Sequence, residues 1–96
     1  MAEVVSHEDG KLSVEGAVLI DNVVAVVTRG VALFNREDLI IDLAQVDEVD
    51  SSAVSMLLEW RREASRRNCR LSFINMPRKL QNLAQLYGIG ELIRPA

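Results

Sequence analysis

The chain has 96 residues, and among them one cysteine and one histidine. Cys69 alone allows no internal disulfide, and no reactive role is expected of it. His7 stands in a turn-like stretch beside Glu8 and Asp9. A single His with a single Cys excludes a Cys/His zinc cluster, and the position of His7 argues against a Ser-His-Asp triad. No apolar run approaches the roughly 18 to 20 residues that span a bilayer. The longest candidate, "AVLIDNVVAVV", is broken by Asp21. The opening "MAEVVSHEDG" lacks the basic start and long apolar run of a signal peptide, so a cytoplasmic protein is expected. Glycine-rich phosphate loops are missing too, Gly88-Ile89-Gly90 reading as a helix stop. The chain alone is therefore expected neither to bind nor to hydrolyse ATP, and no cofactor is implied.

What is present describes one small globular domain over residues 1–96, with 49% apolar and 26% charged residues. The net charge of −3 argues against nucleic acid as a partner. The charges are unevenly spread. Residues 37–50 hold Glu37, Asp38, Asp42, Asp47, Glu48 and Asp50 and no base. Residues 61–79 hold Arg61, Arg62, Arg66, Arg67, Arg70, Arg78 and Lys79 against Glu63 alone. The arginine run reads as a solvated helix face or as a basic patch for an acidic protein surface or a headgroup layer.

Along the chain, "EVVSHEDGKLSVEG" gives two short apolar runs around Glu-Asp-Gly, a hairpin signal. "AVLIDNVVAVVTRGVALFNRED" is rich in valine, yet Val23, Val24, Val27, Val31 and Phe34 fall on one helical face. It reads as a helix capped by Asp21 or Asn22. "DLIIDL" reads as a central strand covered on both faces or nearly so, followed by an acidic loop. Residues 51–67 read as a helix with Val54, Leu57, Leu58 and Ala64 inward. "RLSFIN" reads as a strand. "PRKLQNLAQLYG" reads as a last helix opened by Pro77, closed by Gly88, and packed through Leu80, Leu83, Ala84 and Tyr87. The tail "IGELIRPA" has room for one edge element at most. The order β-β-α-β-α-β-α predicts an α/β fold: a small mixed sheet with helices packed mainly on one side.

The densest chemistry lies in "VDEVDSSAVSMLLEW", residues 46–60. A helix start after a parallel strand sits at the strand's carboxyl edge, where open α/β sheets place their sites. Asp50 or Ser51 would cap it, and a phosphate on Ser51 would meet the positive end of the helix dipole. Catalysis fits badly: no base neighbours Ser51 in sequence and no Gly-x-Ser-x-Gly elbow surrounds it. Met56 and Trp60 fall away from the Val54/Leu58 stripe, with Glu63 and Arg67 beside them. They read either as an interface hot spot or, for Trp60, as a ring tucked against the first helix.

The strand ending Asp42-Leu43, the short connection and Asp50-Ser51-Ser52-Ala53 at a helix start resemble the STAS domain family, named for sulfate transporters and anti-sigma factor antagonists. The likeness runs from about residue 11 to 93 and is most specific over 39–60. The ending "LAQLYGIGELI" is similar to the Leu-Ala-x-Leu-Tyr segment of the small STAS subunit of the bacterial phospholipid ABC transporter that maintains outer-membrane lipid asymmetry. The resemblance implies a non-enzymatic docking domain, without metal or cofactor, peripheral to the inner membrane through its complex. Its partner would be the transporter's ATPase, with the Ser51 hydroxyl at the contact; the residue pattern itself adds Asp50, Ser52, Met56, Trp60 and Arg67 as the expected partner-binding residues around it. The alternative it implies is an anti-sigma factor antagonist, phosphorylated on Ser51 by its partner kinase. Ala53 departs from the family's usual glycine.

Overall fold

The computed structural model describes residues 2–90. The expectation for the tail beyond Gly90 lies outside the described residues. The elements are β1 (Glu3–Ser6), β2 (Leu12–Val18), α1 (Val23–Ala32), β3 (Asp38–Val49), α2 (Ser52–Arg66), β4 (Arg70–Ile74) and α3 (Arg78–Leu86). One sheet orders its strands β1-β2-β3-β4. The β1–β2 pair is antiparallel, and the β2–β3 and β3–β4 pairs are parallel with α1 and α2 as their crossovers. This is the expected α/β architecture, a mixed sheet with its helices mainly on one side.

The hairpin closes where Glu-Asp-Gly predicts: the Gly10 N–H donates to the His7 carbonyl at 3.0 Å. In β3 the side chains alternate. Leu39, Ile41 and Leu43 are buried, whereas Ile40 and Asp42 are half-buried. The strand is thus covered fully on one face and about half on the other, where Ile40 and Asp42 lie. It also runs on to Val49, through the acidic stretch read as a loop. Two register shifts against β2 place Leu43, Val46 and Val49 inward at every third residue. Such bulges break the two-residue period by which strands are read from sequence. Asp42 supports the first bulge by accepting the Ala44 N–H at 2.9 Å.

α1 exists as expected but is rotated. Val23, Val26 and Gly30 are buried, while Val24 is 76% exposed. Gly30 explains the rotation: a Cβ there would lie 2.5 Å from Cζ2 of Trp60. The missing side chain lets the indole of α2 lie against the α1 backbone. Trp60 donates its Nε1–H to the Val27 carbonyl at 3.1 Å and meets Phe34 at a centroid distance of 6.4 Å. Trp60 and Met56 are both fully buried. Neither is an exposed hot spot, and the tucked reading of Trp60 is the correct one. The inward face of α2 is Ala53, Val54, Met56, Leu57, Trp60 and Ala64, so Val54, Leu57 and Ala64 face inward as expected, while Leu58 is only half-buried beside them.

Both later helices end alike. After α3, Gly88 takes φ +74°, its N–H donates to Gln85 and that of Ile89 to Ala84, each at 3.0 Å. After α2, Asn68 takes φ 58° and the Cys69 N–H donates to Ala64 at 2.8 Å. These paired bonds satisfy the last free carbonyls of each helix. The α3 motif also folds Ile89 back to a 9% exposed position, next to the start of α2.

Candidate functional site: a groove at the start of the second long helix

β2 and β3 run parallel, so the residues after Val18 and Val49 emerge at one carboxyl edge. There Asp50 joins three segments. One carboxylate oxygen accepts the Ile20 N–H at 2.9 Å, tying down the loop between β2 and α1. The other accepts the Ser52 N–H at 2.9 Å and the Ser52 hydroxyl. The Ala53 N–H donates to the Asp50 carbonyl at 3.1 Å, beginning the helical ladder. Asp50 is therefore the group that caps α2, and Ser52, 8% exposed, locks its carboxylate. The Ser52 hydroxyl, with the Ile20 and Ser52 N–H groups, holds the Asp50 carboxyl below its ordinary pKa against the opposing effect of desolvation. The partner loop is set by Asn22, which accepts the Leu19 N–H and donates to the Ala17 carbonyl instead of capping α1.

Ser51 is left over. It is exposed, and its side chain makes no capping bond. Ser51 lines an open groove of about 640 Å³ together with Ile20, Asp50, Ser52, Val54, Ser55, Leu58, Tyr87 and Ile89. The lining is mostly apolar and holds no His, Lys or Arg among the described residues. Ser51 thus has no general base beside it in the groove, while the structure's histidine bonds Ser13 at 2.8 Å in the hairpin. A second, smaller groove of about 270 Å³ runs between α1 and α2 past Val24, Val27, Thr28 and Glu59, sharing Ser55 with the first.

Among the described residues, most of the exposed large apolar side chains fall around these two grooves. Ile20 is 75% exposed, Val24 76% and Tyr87 56%, and Leu86, 79% exposed, is the neighbour of Tyr87 in sequence. Tyr87 was expected to face inward with Leu80 and Ala84, but it follows the last residue of α3, is 56% exposed and lines the groove instead. Ala53 is fully buried and does not line the groove, so its methyl in place of the family's glycine leaves the groove unchanged.

Of the residues singled out in the sequence, Asp50, Ser51 and Ser52 come together, while Met56 and Trp60 are buried further along α2, Met56 at the base of the groove between α1 and α2 and Trp60 against Gly30. Arg67 is elsewhere. Sixteen helical residues separate it from Ser51, about 24 Å at 1.5 Å per residue. It is engaged by Glu63 at 3.1 Å and by the Val31 and Phe34 carbonyls at 3.4 and 3.2 Å, closing the end of α1. It is a cross-link between helices, not a member of this surface. The residues missed were Ile20, Ser55, Tyr87 and Ile89. Only Ile20 carried a signal, as an isoleucine within the turn "LIDN". Among the described residues, no three His, Cys, Asp or Glu side chains gather as metal ligands, and no helix is long and apolar enough to cross a membrane.

A search of curated protein sequences finds no match. Among solved structures, the fold is similar to that of the anti-sigma factor antagonist SpoIIAA in its unphosphorylated form, with a TM-score of 0.75. That likeness covers 100% of this chain and 88% of the other at 16% identity, which makes it a statement about fold. The family model described as "Mlab, STAS domain" matches residues 1–94. With this match, the Asp50-Ser51-Ser52 helix start and the mixed four-stranded sheet, the chain belongs to the STAS domain family.

Proposed function

We propose that this chain is a non-enzymatic STAS accessory subunit that docks on the ATPase of a phospholipid-transport ABC system serving outer-membrane lipid asymmetry. It would act on the cytoplasmic side, held at the inner membrane only through the complex. The observation that carries the reading is the groove: a free hydroxyl on a rigid helix start, surrounded by exposed apolar side chains and lacking a base. Contiguous exposed apolar surface marks a binding face more often than chance. A serine hydroxyl on its lining supplies one donor and two acceptor positions to fix a partner's register. The description of the matching family model agrees with this role. In the test, the chain is co-expressed with the ABC ATPase encoded in the same genome, and the purified pair is assayed for ATP hydrolysis. A stable complex with raised hydrolysis supports the reading; an ATPase that purifies and works alone, with no complex, refutes it.

A second reading is an anti-sigma factor antagonist switched by phosphorylation of Ser51. It draws on the SpoIIAA-like fold and on the Ser51 hydroxyl being free of any cap bond. Phosphoserine at residue 51 in cells, together with binding to an anti-sigma factor kinase, would favour it over the transporter role.

A further inference from the structure

Two apolar grooves meet at Ser55. The groove at the start of α2 has one charged side chain in its lining, Asp50, and the groove between α1 and α2 has one, Glu59. Each of these charges is already met within the fold. The Asp50 carboxylate accepts the Ile20 and Ser52 N–H groups, both at 2.9 Å, and the Ser52 hydroxyl. Glu59 pairs with Arg62, three residues on. Asp21, Asp47 and Glu48 line neither groove. Thr28, which lines the second, donates its hydroxyl to the Val24 carbonyl at 2.9 Å. What is left to face a partner is apolar surface, with the exposed Ser51 and Ser55 one helical turn apart on α2.

The grooves make one strip along α2. From Ser51 to Glu59 it follows eight residues of the helix, about 12 Å at 1.5 Å per residue. Its two most exposed large apolar side chains lie one to each groove: Ile20, 75% exposed, in the first and Val24, 76% exposed, in the second. The fold buries little of Val24 and gains little from an apolar side chain there, whereas a partner lying across the strip would cover it.

Resting on the docking role argued above, we infer that the ATPase contact extends over both grooves and that the element lying in them is an uncharged apolar ridge. It sets one apolar anchor against Ile20 and Leu58, crosses Ser55, and sets a second against Val24. A lysine, arginine or carboxylate laid in either groove would lose its water without gaining a free opposite charge. Uncharged polar atoms of the ridge suit Ser51 and Ser55, whose hydroxyls each offer one donor and two acceptor positions.

The test is calorimetric titration of the ATPase of the same genome with wild type, Val24→Ser, Val24→Lys, Val24→Glu and Leu58→Asp. Val24 is exposed, so its three variants should melt close to wild type. The inference predicts a Kd raised about tenfold by Val24→Ser and about a hundredfold by both charged variants, whichever the sign. If the Val24 variants bind like wild type while Leu58→Asp abolishes binding, the docking role survives and the extended contact is refuted. If Val24→Lys or Val24→Glu binds more tightly than Val24→Ser, the ridge carries the opposite charge and the inference is equally overturned. If the wild type does not bind at all, both are refuted. A wild-type chain that sediments as a dimer, is made monomeric by Val24→Lys and is not dissociated by the ATPase would assign the strip to a second copy instead.

Discussion

The Asp50 carboxylate accepts the Ile20 N–H at 2.9 Å, so the residue that caps α2 also holds the loop bearing the most exposed wall of the groove. Loop geometry and helix start are one unit.

That link has a pH signature. The Asp50 carboxyl is held below its ordinary value, first by the Ser52 hydroxyl and then by the Ile20 N–H. A carboxyl with a depressed folded-state pKa contributes stability that is fully present above the unfolded value, about 3.9, and is lost as pH falls through the folded value. Asp50→Ala should therefore lower the melting temperature at pH 7, and the gap from wild type should shrink as pH drops below about 4. Thermal unfolding followed by circular dichroism from pH 7 to 2.5 checks it. A gap that stays constant to the lowest pH would show that the carboxylate bonds are not its source.

A fully buried Trp60 seated on Gly30 makes the α1–α2 contact intolerant in both directions. Trp60→Ala should cost about 3–5 kcal/mol, a large part of the 5–15 kcal/mol typical of a domain. Gly30→Ala should cost about 1–3 kcal/mol through overpacking. Because both act at one contact, Gly30→Ala should be milder in a Trp60→Phe background than in wild type. Urea unfolding of the four proteins measures this coupling, and strictly additive effects would contradict the packing described.

Ser51 should matter little to folding. With no capping bond to lose, Ser51→Ala should change stability by no more than about 0.5 kcal/mol. Ser51→Thr should keep partner binding, since it preserves the donor and acceptor. Ser51→Glu should fold normally, its charge favoured by the helix start, yet bind the ATPase poorly through bulk and desolvation. Melting and pull-down on the same three variants separate the roles. A large loss of stability in Ser51→Ala would return the serine to a capping role.

The fold was legible because its signals were local: a Glu-Asp-Gly hairpin, a proline-opened and glycine-closed last helix, and Asp-Ser-Ser at the start of the middle one. Two things were not. The end of β3 was hidden because two bulges give Leu43, Val46 and Val49 a spacing that resembles neither strand nor helix. Val54, Leu57 and Ala64 were placed inward correctly, but the contact between α1 and α2 through Gly30 was missed, because this glycine looks like a weak spot in a helix and acts as a seat for Trp60. A seat is a property of two elements, and no window along one of them contains it. The same holds for the groove. Asp50, Ser51 and Ser52 could be found as a motif, whereas Ile20 joins them only through a tethered loop and Tyr87 and Ile89 only through the packing of the end of α3.

Ile20 and Tyr87 give the most direct test of the docking surface. Ile20 is 75% exposed and Tyr87 56%, so Ile20→Ser/Tyr87→Ala removes apolar surface from the groove while touching little of the core. Calorimetric titration of the ATPase with wild type and with this double variant reads the consequence. The docking account predicts a Kd raised at least about a hundredfold, near 2.7 kcal/mol, with the melting temperature of the isolated domain almost unchanged. An unchanged Kd in a folded variant would mean that the partner binds somewhere else.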